Sequence, residues 1–190
     1  MKYYRASELE RFLEALDQQL DGPHTITIIG GAAIALAFGG DNATTDIDVF
    51  VGMTGPLQLA AHQARRQLLS EIEVSPAQVA ELPYGYEDRL RPILGGLAKL
   101  RVLVPELYDL VLSKIARGVD RDREHIAALH QLHQLELATL LERYFGEMQQ
   151  ATMRQRDLEL NLLNVIDDLF GAEAAREVEA ELESRRARSG

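Results

Sequence analysis

Cysteine is absent from the 190 residues, which removes disulfides, thiolate metal sites and cysteine nucleophiles together. No uncharged apolar stretch approaches the roughly 20 residues a membrane-spanning helix needs, so no membrane association is expected. The opening residues, Met1 to Glu10, lack the apolar run that marks a signal peptide. With the missing cysteines, this sets the expectation of a cytoplasmic protein. Positive charge is also scarce: 20 Lys and Arg stand against 30 Asp and Glu, a formal net charge of −10 with pI near 5.0. Non-specific nucleic-acid coats rely on many Lys or Arg contacts to phosphate, so a general coat and a DNA partner are not expected. A local basic patch gripping one RNA end, or a basic protein partner, stays compatible with that balance. The hydrophobic share, 46%, is enough for a real core. The length suits one ordinary domain or a catalytic core with a helical appendage.

What is present is concentrated between Ile28 and Phe50. An apolar, β-branched strand (Thr25 to Ile29) runs into Gly30-Gly31. A short helix of small residues (Ala32 to Phe38) and a loop over Gly39 to Asn42 follow. A second strand, Asp46 to Val51, then carries Asp46 and Asp48. Side chains alternate along a strand, so these carboxylates share one face, roughly 7 Å apart at about 3.3 Å per residue. Ile47, Val49 and Val51 take the other. Such a pair is a platform for a hard divalent cation such as Mg²⁺, which keeps coordination positions for substrate phosphates. Glycine at 30 and 31 leaves room for a phosphate chain to approach the backbone. A merely solvated acidic pair is the competing explanation, but like charges on one strand face repel.

The pattern of strand, Gly-Gly turn, helix and Asp-x-Asp strand resembles the nucleotidyltransferase superfamily typified by DNA polymerase β. A later segment sharpens the likeness. Tyr108 to Ile126 is similar to the downstream half of the AbiEii-like nucleotidyltransferases, toxins of bacterial abortive-infection and toxin–antitoxin pairs, and of a less characterised bacterial relative. Those proteins carry Asp-Leu-x-x-x-Lys, then Arg, then Arg-Asp-x-x-Asp. The blocks fall here on Asp109, Leu110 and Lys114, then Arg117, then Arg121 and Asp122. The last acidic position is His125, a departure, with Glu124 beside it.

The resemblance implies transfer of a nucleoside monophosphate from an NTP to an acceptor hydroxyl, with Mg²⁺ or Mn²⁺ as cofactor. Asp46 and Asp48 would hold the metal. Gly30, Gly31 and Thr44 would line the phosphate approach. Lys114 and Arg117, i and i+3 on one helix face, would hold phosphates, with Asp122 orienting Lys114 or helping to activate the hydroxyl. The acceptor implied is RNA, notably the tRNA 3′ end, and a cognate antitoxin protein is an implied partner. Two alternatives stay open: an inactive binding or regulatory module on the same fold, and a small-molecule modifier like the aminoglycoside adenylyltransferases. Taken alone, the Lys114 to Asp122 segment also reads as salt-bridged, solvated helices.

A third carboxylate, which many superfamily members place on a later strand, is missing from Lys99 to Val104. Glu106 and then Asp109 are the nearest candidates, either of which also suits helix capping. His125, His130 and His133 read as surface or interface histidines, and Tyr84 and Tyr86 as core-packing loop residues. Gly95-Gly96 reads as a turn.

The remaining segments set the architecture. A first helix over Ser7 to Leu20 has Ser7 and Glu10 as a capping box. A helix follows Gly55-Pro56, and another is expected from Ser75-Pro76 to Leu82. A strand or extended connector covers Leu90 to Ile93, and Lys99 to Val104 alternates as a strand. From Glu106 the chain reads as helical, with breaks at Gly118, near His133 to Leu135 and at Gly171, and with a frayed end. The expected fold is therefore α/β (α+β), a nucleotidyltransferase core over residues 1–105. It carries a small mixed sheet flanked by helices, followed by an all-helical region over 106–190 packed on the core.

Overall fold

The structure, a computed structural model, describes residues 2–39, 44–77, 81–149, 151 and 154–189. Residues 40–42 of the expected loop lie outside them. The chain divides into two compact units, Met1–Ala80 with Gly85–Leu110, and Glu81–Tyr84 with Val111–Gly190.

The first unit holds a five-stranded mixed sheet of order β3-β2-β1-β5-β4, flanked by helices. Its strands are β1 (His24–Ile29), β2 (Asp46–Val51), β3 (Glu73–Pro76), β4 (Arg91–Ile93) and β5 (Leu100–Val104). β1 is central, antiparallel to β2 and parallel to β5, and Ile26 to Ile29 are buried without interruption, as suits a strand covered on both faces. β2 alternates as its sequence requires: Ile47 and Val49 are buried, while Asp46, Asp48 and Phe50 are half-buried. The two edge strands each carry a proline, Pro76 and Pro92, which sheets admit at edges because no ladder N–H is lost there.

Three helices complete this unit: α1 (Ala6–Gln19), α2 (Gly30–Ala37) and α3 (Gly55–Leu68). Leu9, Phe12, Leu13 and Leu16 of α1 are fully buried, and α1 packs on α2 and α3. Its N-cap is Arg5, and Glu8 accepts the Arg5 backbone N–H at 3.0 Å. The expected Ser7–Glu10 capping box is thus displaced by two residues. Thr54 caps α3, its hydroxyl accepting from the Leu57 N–H.

The expected helix over residues 75–82 is a misreading: Ser75 and Pro76 belong to β3, parallel to β2, and residues 78–80 lie outside the described set. A proline behind a serine looks like a helix start, but the β-branched Val74 and pairing to Asp48 and Val49 favour a strand.

α4 (Leu107–Arg117) crosses the division between the units. The second unit then continues with α5 (Asp120–His133), α6 (Leu137–Glu147), α7 (Gln155–Phe170) and α8 (Ala172–Ser189). Gly118 (φ +66°) breaks α4 from α5, Gln134 (φ 52°) ends α5, and Gly171 (φ +90°) separates α7 from α8. α7 packs on both α5 and α8. The segment expected to fray is helical as far as Ser189.

Candidate functional site

In the first unit the glycine pair and the acidic strand meet. Gly30 leaves β1 with φ +70°, a left-handed conformation that turns the strand directly into α2 and that only glycine takes at little cost. A Cβ at Gly30 would stand 2.8 Å from Asp48 Oδ2, and one at Gly31 would stand 2.7 Å from Thr44 Oγ1. The glycines therefore let the Asp48 carboxylate and the Thr44 hydroxyl settle against the first turn of α2. An anionic side chain is stabilised there by the positive end of the helix. Room expected for substrate is first used by the protein's own side chains.

Thr44 is held independently, bridged to Tyr4 through N–H···O bonds of 2.7 and 3.1 Å. Its hydroxyl lies 3.4 Å from Asp46 Oδ1, and the Thr45 hydroxyl lies 3.3 Å from the same oxygen. The Thr44 hydroxyl also lies 3.3 Å from the Asp46 carbonyl, so the two threonines border Asp46 with long contacts, while Asp48 packs closely at the helix start. Phe50 continues the same strand face and meets Tyr86 edge-on, centroids 5.8 Å apart. Tyr86 sits in a 3₁₀ turn over Tyr86–Arg89, so its packing role is as expected, while Tyr84 is exposed.

The third-carboxylate candidates are otherwise engaged. Glu106 accepts the Tyr108 N–H at 3.0 Å, a helix-start role. Asp109, fully buried, receives both arms of the Arg89 guanidinium at 2.8 and 3.3 Å. Sequence reasoning missed Glu73, which registers beside Asp46 on β3. Residues paired across a ladder share a face, but with Ser75 onward read as helix, β3 went unrecognised and Glu73 stayed unassigned. Among the described residues, no three histidines or acids are gathered closely enough to hold a metal by themselves.

In the second unit, Lys114, Arg117 and Asp122 converge as expected. Lys114 Nζ donates to Asp122 Oδ1 at 2.8 Å, and Arg117 clamps both Asp122 oxygens at 2.5 and 2.7 Å. Lys114 is 4% and Asp122 1% exposed, while Arg117 is 38% exposed, so the arrangement is a buried Lys–Asp pair closed by a surface arginine rather than a solvated pair of helices. Burial alone would raise the Asp122 carboxyl, but the Arg117 and Lys114 donors outweigh it and hold it below the usual range. Burial pushes Lys114 down, Asp122 opposes this only in part, and Arg117 and Arg121 add to the lowering.

The departure at His125 has a geometric answer. Its Nδ1 lies 3.0 Å from Lys114 Nζ. Burial, then the Lys114 and Arg121 charges, push it down to about 4. At neutral pH the ring is uncharged, and Nδ1 accepts from the ammonium with the proton on Nε2. His125 thus offers Lys114 a second acceptor beside Asp122 without adding charge. His130 meets Phe170 edge-on at 5.1 Å.

Asn161 on α7 fixes the joint of this cluster. Its amide donates to the Ile115 carbonyl at 3.0 Å and fills the space where a Gly118 Cβ would stand. Gly118 thereby lets the chain double back so that Asp122 returns to Lys114.

Comparison with known proteins agrees with the sheet, bend and acidic strand. No curated protein and no solved structure matches the chain. One family model, described as "Nucleotidyltransferase of unknown function (DUF6036)", matches residues 5–168. That span contains Gly30, Gly31, Asp46, Asp48, Lys114 and Asp122, and the chain belongs to this nucleotidyltransferase family.

Proposed function

We propose that the protein is a metal-dependent nucleotidyltransferase that passes a nucleoside monophosphate from an NTP to an acceptor hydroxyl. The observation that carries this reading is the pairing of Asp46 and Asp48 on one half-buried strand face against the Gly30–Gly31 bend. The donor set fits Mg²⁺ or Mn²⁺: two carboxylates on one face, with coordination left for water and substrate phosphates, are the usual protein share of such a site. When bound, the metal supplies charge stabilisation for the α-phosphate and the departing pyrophosphate.

The chain's own groups do the rest. Thr44 and Thr45 border Asp46 with polar groups, and α2 presents its N-terminal amides beside Asp48, where an anion is favoured. The Phe50–Tyr86 pair borders the acidic face and offers an apolar edge to a nucleobase. Lys114 and Arg117 are assigned to triphosphate contact, and Asp122 and His125 hold the Lys114 amine as a fixed donor. Preorganised donors of this kind are the main catalytic resource in phosphoryl chemistry.

The acceptor is assigned to RNA, notably a tRNA 3′ end, and the role to a toxin with a cognate antitoxin. Support comes from the likeness of Asp109, Leu110, Lys114, Arg117, Arg121 and Asp122 to the AbiEii-like motif. A second reading, an inactive binding module, is favoured by the lack of a gathered third acid among the described residues. The test is incubation with Mg²⁺, α-labelled NTPs and total tRNA, repeated with Asp46→Ala. Label on RNA that vanishes in the variant is the expected result. Label only on an added aminoglycoside moves the assignment to a small-molecule modifier. No transfer to either acceptor leaves the binding module standing and overturns the enzyme.

A further inference from the structure

The second unit contains a half-open pocket of about 720 Å³, formed by residues of α6 to α8 with Met148 and Gln149. It uses none of the residues assigned to nucleotidyl transfer. Its size lies in the range of sites that enclose small organic ligands. Leu158 and Leu182 supply buried apolar lining. Phe145 adds an aromatic wall, with the Arg185 guanidinium 3.9 Å over its ring.

Two polar features point to a ligand. Tyr144 is 3% exposed, yet its hydroxyl has no hydrogen-bond partner among the described residues. A buried donor left unmade is costly, and native structures rarely keep one without a reason. The second feature is an excess of cationic lining in a chain of net charge −10: three arginines, Arg185, Arg186 and Arg188, face two acids, Glu159 and Glu181. Arg185 is committed to Glu181 at 2.6 Å. The other two are held loosely. Arg186 lies 3.7 Å from Glu159, and Arg188 lies 3.6 Å from Glu181. Both contacts are longer than a charge-assisted hydrogen bond. Each guanidinium carries five N–H donors in a fork that matches phosphate, sulfonate or carboxylate. The acids are less available, since Glu159 also accepts from Gln155 at 3.2 Å and Glu181 is shared by two arginines.

We propose that this cavity binds a small amphipathic anion, with its apolar or aromatic body inside, its charged group at Arg186 and Arg188, and an acceptor atom for Tyr144. Burial, reinforced by Glu159, raises the Tyr144 phenol, so it stays a neutral donor across the physiological range. A cationic ligand would meet the arginine excess and leave the phenol donor unanswered.

The probe is 8-anilinonaphthalene-1-sulfonate, which joins an aromatic body to an anion. It is titrated into the full chain, whose native state is verified by a cooperative near-UV melt. Saturable one-to-one fluorescence is expected. Affinity should fall tenfold or more in Arg186→Gln/Arg188→Gln, since both side chains are half exposed or more and their removal leaves the fold intact. Tyr144→Phe should weaken binding several-fold while the melting temperature stays level or rises. Displacement by decanoate identifies a carboxylate on an aliphatic body, and displacement by adenosine 5′-monophosphate a phosphate on an aromatic one; either supports the site. Absence of saturable binding to the folded protein, or equal affinity in both variants, overturns it.

Discussion

Two neighbouring glycines show how one missing methyl can serve different ends. At Gly31 an added Cβ meets Thr44 Oγ1 at 2.7 Å and Thr44 Cβ at 2.9 Å, and Thr44 cannot retreat because its backbone is bridged to Tyr4 on both sides. Gly31→Ala is therefore expected to cost about 1–3 kcal/mol, the usual range for overpacking, read by urea denaturation. Adding Thr44→Ala should recover only part of it, because the Thr44 Cβ remains in the way. At Gly30 the obstruction is the end of the Asp48 side chain, and φ +70° strains any residue with a Cβ, so Gly30→Ala should cost about 1 kcal/mol in backbone strain, displace that carboxylate and lose transfer activity. The buried Lys114–Asp122 pair and its Arg117 clamp give a sharper contrast. Asp122→Asn leaves Lys114 and Arg117 without their shared counter-charge and should destabilise by about 3–5 kcal/mol, whereas Lys114→Met leaves Asp122 clamped by Arg117 and should change stability by only about 1 kcal/mol. Both should abolish transfer, so stability and activity separate at Lys114 and fall together at Asp122. The sign with pH is set by the lowered Lys114: in the window between its folded value and about 10.4 the unfolded state holds more protons, so stability rises with pH there. Lys114→Met should remove that alkaline gain.

At the level of elements, α1 and β5 are joined by one side chain. Asp17, buried in the last turn of α1, accepts the Ala98, Lys99 and Leu100 backbone N–H groups at 3.1, 2.7 and 2.6 Å. Burial would raise this carboxyl, but the three donors and the Lys99 charge outweigh it and hold it below its ordinary value. A carboxylate with a depressed folded value stabilises above its unfolded pKa, about 3.9, and that contribution is lost as pH falls through the folded value. Asp17→Asn should thus cost about 2–3 kcal/mol at pH 7 and flatten the decline below about pH 4 in acid-unfolding curves. The sequence offered one hint of this tether, an acid in a helix's last turn where the macrodipole disfavours it, but its partners lie 81 to 83 residues away. β2 was legible because alternation and a buried partner face specify a strand without reference to the rest of the chain. β3 was not, since Ser-Pro suits both a helix start and an edge strand, and only pairing with β2 decides. The same holds in the candidate site. Asp46 and Asp48 stood out by residue type and spacing, whereas Lys114 and Asp122 were singled out only through the resembled motif, their spacing alone suiting solvated helices as well. The purpose of His125 depends on the Lys114 amine eleven residues away, which the motif's spacing alone does not reveal.

For the whole chain, the matched family span of residues 5–168 takes in both compact units and stops before α8. The chain enters the second unit briefly at Glu81–Tyr84, tied there by the Tyr84 N–H to the Glu147 carbonyl at 3.0 Å, before returning to complete the sheet. The units are thus interleaved in sequence, and a cut at residue 105 would remove Asp109, the counter-ion of Arg89, from the first of them. Among the described residues no helix is long and apolar enough to cross a membrane, and a net charge of −10 sets a general repulsion against any polyanionic substrate. Under the proposed function a magnesium nucleotide overcomes that repulsion through the Asp46–Asp48 face, and its binding should register as stabilisation of the folded chain. At a ligand concentration of 100 times Kd, mass action contributes about 2.7 kcal/mol, worth roughly 5–10 °C in a chain of this size. Mg²⁺ with NTP should therefore raise the chain's melting transition by that amount, and Mg²⁺ with NTP should leave Asp46→Asn/Asp48→Asn unmoved. Without ligand, the same double variant should melt no lower than the wild type, because it removes two like charges roughly 7 Å apart on one strand face. A variant that melts lower without ligand would mean that the carboxylates stabilise the fold itself, and an equal nucleotide shift in both proteins would place the nucleotide elsewhere.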